Sequence, residues 1–187
     1  MRFPRTFCVI AVAAAMLSGC VVTHDAVVAE ADAEFDARLL GTWKDSSDGE
    51  IAVVTRGAGS RYMIEYMDEG DTTRLEARLG RLGDRRVLDV WPAPRRGELP
   101  SAYVDLLLPA HVPILIDVAQ DEIRVWMLNV DSLRAEMRAR PERWSWEEAD
   151  NRVVLRGTTA ELRAALGPYV TRLDLGAAGL YRRTTAR

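Results

Sequence analysis

Side chains able to do acid–base or covalent chemistry are few in this sequence, and they do not cluster. Beyond carboxylates and hydroxyls, the supply is two histidines (His24, His111), two cysteines (Cys8, Cys20) and one lysine, Lys44. Serine-type hydrolysis needs a nucleophile, a base and oxyanion donors placed together. No Gly-x-Ser-x-Gly element occurs, so that chemistry would have to run through His111, in Pro109-Ala110-His111-Val112-Pro113. Neither His-Glu-x-x-His nor Cys-x-x-Cys is present, and a His/Cys zinc site therefore lacks its donors. With Lys44 as the sole lysine there is no phosphate-binding Gly-Lys-Ser/Thr loop, and Schiff-base chemistry would have to use that residue. Asp45-Ser46-Ser47-Asp48-Gly49-Glu50 gathers carboxylates, but not at the alternate positions a calcium loop uses, and it reads as a polar hairpin loop. No catalytic residue, metal site or cofactor is expected, and the chain reads as non-enzymatic.

Carboxylates set in apolar strands are the more informative polar residues. Asp89 lies between Leu88 and Val90 and shares phase with Val87 and Trp91; Asp117 shares phase with Leu115; Glu65 shares phase with Met63 and Met67. A carboxylate pointing into a barrel would be desolvated, would need an arginine partner and could orient a ligand. On the opposite phase, Leu88 with Val90 and Ile114 with Ile116 can fill the core, which leaves the acids facing water. The ligand-binding candidates are Glu65, Asp89, Trp91, His111, Asp117 and Trp126.

The amino terminus carries an address. Arg2 and Arg5 precede an apolar run over residues 7–17, too short to cross a bilayer, which needs roughly 20 residues. A positive start, a short apolar stretch and small residues make a secretory signal. The run ends in Leu17-Ser18-Gly19-Cys20, which resembles a bacterial lipobox. The resemblance implies a diacylglycerol on the Cys20 thiol, cleavage between Gly19 and Cys20, and acylation of the new amine. At ~0.8 kcal/mol per buried methylene, several acyl chains hold a protein to a membrane permanently. By similarity to Gram-negative lipoproteins, Val21 in place of Asp gives no inner-membrane retention signal. This implies a lipid-anchored protein of the cell envelope, on the outer membrane and facing the periplasm. Cys8 leaves with the signal, so the one remaining cysteine is acylated and no intramolecular disulfide forms. A formal charge of -3 leaves no basic surplus for nucleic acid.

The organisation follows as residues 1–19, signal peptide; 20–38, lipidated terminus and tether; 39–187, folded domain. In the tether, Glu30, Asp32, Glu34 and Asp36 alternate with small residues, and the spacing of Phe35 and Leu39 predicts a helical turn against the domain. Period-two segments bounded by turn signals predict strands over 50–56, 61–67, 72–79, 85–91, 112–118, 122–128, 151–156 and 179–183. Helices are predicted from Asp131 to Arg140 and from Thr158, with capping-box spacing to Glu161, until Gly167-Pro168 stops it. The fold class is mainly β: an antiparallel barrel of seven to eight strands with two short helices, since closure leaves no exposed edge. An open, curved sheet covered by the helices is the alternative. The 92–111 connection, with Pro92, Pro94, Pro100 and Pro109, is long enough for a lid over the mouth or a plugging helix.

Gly41-Thr42-Trp43, ahead of the strand at 50–56, resembles the G-x-W motif that opens lipocalin-like barrels. The resemblance implies that the tryptophan closes one barrel end beneath an arginine of the last strand. The closing set expected is Gly41, Trp43 and Arg182, with Arg183 as the alternative. Together these readings imply a non-catalytic envelope lipoprotein that binds a small apolar ligand or a protein partner. A structural or assembly accessory without a cavity, and a hydrolase using His111, are the rivals.

Overall fold

A computed structural model describes residues 21–68, 70–93, 110–149 and 152–184. The signal segment, Cys20 and most of the connection expected to form a lid or plug lie outside the described residues.

Runs of β-branched, aromatic and aliphatic residues between Gly- and Asp-containing turns form eight antiparallel barrel strands: β2 (Gly41–Asp45), β3 (Ile51–Arg56), β4 (Arg61–Asp68), β5 (Asp71–Leu82), β6 (Arg85–Pro92), β7 (Val112–Val118), β8 (Glu122–Met127) and β11 (Gly179–Arg183). They close in the order β11-β2-β3-β4-β5-β6-β7-β8. Alternation works as the sequence indicates: Leu75, Ala77 and Leu79 of β5 point inward, and Leu88 with Val90 of β6 meets Ile114 and Ile116 of β7 inside the barrel.

Two strand assignments differ from expectation. Gly41-Thr42-Trp43 does not precede the first barrel strand; it lies within that strand, paired with Val54, Val53 and Ala52. The segment predicted over 151–156 leaves the barrel. As β10 (Arg152–Arg156) it joins a second sheet, between β1 (Val21–Thr23), to which it is parallel, and β9 (Ser145–Ala149), to which it is antiparallel. Its buried phase, Val153 and Leu155, fills a core outside the barrel, where α1 (Val130–Ala139) and α2 (Thr159–Arg172) contribute Leu133, Met137, Leu162 and Leu166. Helix α1 is capped by Asn129, whose side chain accepts from the Ser132 amide at 2.8 Å, rather than by Asp131. Thr158 and Glu161 form the predicted capping box of α2. That helix runs through Gly167-Pro168 instead of stopping there. The proline costs one backbone bond, but Tyr169 and Val170 beyond it are buried, and that burial keeps the last turn helical.

Residues 21–38 are the largest departure. They form no free tether but a strap bound along the barrel's outer flank. Val27 and Val28 are fully buried, each a gain of ~1.5–3 kcal/mol. Gly80, in the middle of β5, makes this possible: a Cβ there would stand 2.7 Å from a Val28 methyl. The alternating acids then meet arginines one after another: Glu30 with Arg78 at 3.3 Å, Asp32 with Arg163 at 3.4 Å, Glu34 with Arg81 at 3.5 Å, and Asp36 with Arg86 at 2.8 Å. Partly exposed pairs contribute ~0–1 kcal/mol each, so valine burial holds the strap and the acids set its register.

Candidate ligand cavity

The strap ends in a single helical turn at Ala37–Leu39, as the Phe35 and Leu39 spacing predicts, and this turn seals one end of the barrel. Leu39 is buried there beneath Trp43, whose indole N–H donates to the Leu39 carbonyl at 2.8 Å. Arg183 lies over the Trp43 ring at 4.2 Å and donates to three carbonyls, those of Leu40 and Arg38 at 2.7 Å and Gln120 at 3.0 Å. One guanidinium thus joins the incoming chain, the β7–β8 turn and the indole face. Arg182, expected in this role, lies on the outward phase of β11, paired in register with Lys44. Period two decides between the two neighbours: Trp43 is inward, so its register partner Arg183 is inward too. Gly41 fits the motif because its φ is +131° and a Cβ would run into the Arg183 guanidinium. Beside this cap, the amide of Asp36 donates to the Tyr62 hydroxyl at 2.7 Å. The guanidinium of Arg38, then that of Arg86, holds the Asp36 carboxyl well below the usual carboxylate range.

Above the cap the barrel interior is hollow. A cavity of about 400 Å³ is lined by Trp43, Val54, Tyr62, Ile64, Leu88, Val90, Ile114, Ile116 and other apolar side chains. Its volume falls at the small end of the ~300–1,000 Å³ usual for small-molecule sites. Toward the opposite end the lining turns to Asp45, Tyr66, Tyr181 and Met127, the last 49% exposed, which marks this end as the mouth. Asp45 is the one charged residue among the described residues of the lining, and its Oδ1 accepts from the Ser47 amide and hydroxyl at 2.6 and 2.5 Å. Burial favours the neutral form of Asp45, but the Ser47 and Asp48 bonds outweigh it and hold the carboxyl below its ordinary value. Burial first, then the charges of Asp48, Asp68 and Asp45, push Glu50 up. Tyr181 is pushed up by burial and by the nearby Asp45, Glu50 and Asp48 carboxylates.

None of the six sequence-derived ligand candidates lines this cavity. Each stands on an outward phase, or in His111's case just ahead of β7. Glu65 is exposed and pairs with Arg74 at 3.2 Å; Asp117 is exposed; Trp126 packs on the outer core. Asp89, His111 and Trp91 do come together, outside the barrel wall. Asp89 faces outward, as its phase indicates, yet it is 0% exposed because the strap covers it. Its Oδ2 accepts from the amides of Val27 and Val28 at 3.0 and 3.2 Å, and its Oδ1 meets His111 Nδ1 at 3.1 Å. Trp91 stacks obliquely on His111 at 5.1 Å, and Thr23 exchanges backbone bonds with His111 at 2.8 and 2.9 Å. A carboxylate whose oxygens are committed in this way clasps the strap to the barrel.

Asp45, Tyr66, Tyr181 and Met127 are the site residues that sequence reasoning missed. The signal was available in β2, where Trp43 and Asp45 share a phase, once Gly41–Trp43 is placed inside the strand. Among the described residues no three His, Cys, Asp or Glu side chains converge as a metal ion needs, and no helix is long and apolar enough to cross a membrane. Comparison of the chain with protein-family models, curated proteins and solved structures gave no match.

Proposed function

We propose that this chain is a non-catalytic, lipid-anchored protein of the bacterial cell envelope whose lipocalin-like barrel binds a small apolar ligand. The observation that carries the reading is the cavity of about 400 Å³, walled among the described residues almost entirely by apolar side chains. The Gly41, Trp43 and Arg183 cap supports the lipocalin-like assignment, and Leu17-Ser18-Gly19-Cys20 supports acylation at Cys20. Since Val21 already belongs to β1, an acylated Cys20 leaves no spacer, and the domain sits directly on the bilayer surface. Val21 favours the outer membrane, with the domain facing the periplasm. The test is titration of the mature polypeptide, residues 20–187, with the uncharged fluorophore N-phenyl-1-naphthylamine. Every strand and helix of the described fold lies within that polypeptide. Saturable enhancement that is lost when Ile64→Trp fills the cavity is the expected result, and absence of saturable binding refutes the reading. A protein partner in the envelope is the second reading, favoured by Trp146, 40% exposed on β9 at the edge of the outer sheet. In-cell crosslinking from position 146 that recovers no stable neighbour excludes it.

A further inference from the structure

The barrel mouth carries a charge pattern that specifies the head group of the ligand, and this step rests on the ligand-binding reading above. Among the described residues that line the cavity, Asp45 is charged and the others are uncharged, with no lysine or arginine. Asp45 is 8% exposed, and it follows Trp43 on the same inward phase of β2, one step nearer the mouth. Around it the described residues at that end supply more carboxylates: Asp48 and Glu50 between β2 and β3, and Asp68 and Asp71, paired in register at the facing ends of β4 and β5. Among the described residues the nearby cations stand off the lining: Lys44 and Arg182 are exposed on the outward phases of β2 and β11, with the Lys44 side chain over Gly49 of the β2–β3 turn, and Arg74 is turned out against Glu65.

We infer that the cavity takes a single-chain amphiphile with a cationic head, its ammonium or similar group at Asp45 beside Tyr181 and its tail directed down to Trp43. An anionic head at the same depth would sit near an ionised carboxylate with no cation among the described lining residues to compensate it, in a region where apolar walls reduce screening. A neutral alcohol would gain a hydrogen bond from the carboxylate but no charge attraction. The tail is short. At ~30 Å³ for each water-sized group, 400 Å³ accommodates about a dozen carbons and the head.

Displacement of N-phenyl-1-naphthylamine from the mature polypeptide by dodecylamine, dodecanol and dodecanoate, at neutral pH and low salt, reads this selectivity directly. Dodecylamine is expected to displace at a concentration at least ~10-fold below that of dodecanoate, with dodecanol between them. The ratio is expected to collapse toward one in Asp45→Asn and to stay unchanged in Glu65→Gln, which removes an equal charge from the outer face. If Asp45→Asn does not fold, Glu50→Gln decides, with a ratio reduced about two- to threefold. Dodecanoate displacing as well as dodecylamine, or a ratio that survives loss of the mouth carboxylates, overturns the head-group assignment and leaves the ligand-binding reading standing. Failure of the fluorophore to bind at all takes both down together.

Discussion

Replacing Asp89 tests whether the buried carboxylate holds the strap. Asp89→Ala removes the acceptor of two buried amides, Val27 and Val28, and of His111 Nδ1. A buried amide left unpaired costs ~1–3 kcal/mol; two are left so in this variant, and the His111 Nδ1 contact is lost with them. Because the three bonds share one carboxylate and the strap can partly relax, these costs overlap, and ~3–5 kcal/mol is the expected total. In a domain of this size that lowers the melting temperature by ~6–20 °C. Asp89→Asn keeps the shape but swaps one acceptor oxygen for a donor facing either the strap amides or His111, so about half the loss is expected. Urea unfolding midpoints of the mature polypeptide give the free energies, and hydrogen exchange at the Val27 and Val28 amides shows where the loss acts. His111→Phe should cost less, and the Asp89/His111 double-mutant cycle should show a coupling above ~0.5 kcal/mol. A loss below ~1 kcal/mol in Asp89→Ala, or undiminished protection of the two amides, refutes the clasp.

Three further substitutions probe the cap and the strap. Arg183→Ala should destabilise by ~2–4 kcal/mol and shift Trp43 emission, because it deletes a stacking cation and three bonds to carbonyls, whereas Arg182→Ala should change unfolding by less than ~0.5 kcal/mol. Gly80→Ala forces Val28 off β5 and should cost at least ~1 kcal/mol, with a parallel Val28→Ala change in the Gly80→Ala background costing less than in the parent, as urea midpoints will show. The Asp36 carboxyl is held below its unfolded value of 3.8, so its contribution is fully present above about pH 4 and is lost as pH falls through the lower folded value. Acid titration of the unfolding midpoint should therefore steepen below pH 4 in the parent and flatten in Asp36→Asn.

Period two was enough to assign most of the barrel, because a strand with one inward face writes that face into alternate residues. Seven of the eight barrel strands, and the inward sets of β5, β6 and β7, were legible in this way. The strand holding Gly41 to Asp45 was not. Its alternation is only five residues long, with a lysine and an aspartate among them, and the aspartate points inward. The outward phase of Asp89 was also legible, but its burial was not. An outward residue is solvated or covered according to what lies across it in space, and here the cover comes from a segment 61 residues away in the chain.

The strap shows why its sequence resembled a linker. Its acids at alternate positions and its small residues are what a solvated tether would also have, and each acid by itself is compatible with water. What distinguishes the two states is the partner surface: Arg61, Arg78, Arg81 and Arg86, spread over β4, β5 and β6, with Arg163 on α2. No local pattern marks those arginines as a set, because three strands and a helix must be in place before they form one stripe. The apolar residues were the better guide. A free tether gains nothing from Val21, Val22, Val27 and Val28, and four valines within eight residues of the segment's start call for a surface to bury them. That surface is the flank of the barrel wall whose inner side is the cavity. Strap and cavity thus share β5 and β6, with Asp89 and Gly80 facing one and Leu88, Val90 and Leu75 facing the other. Loosening the strap removes support from the wall that Leu88 and Val90 present to the cavity, so the same residues that fix the amino terminus also bear on the width of the cavity.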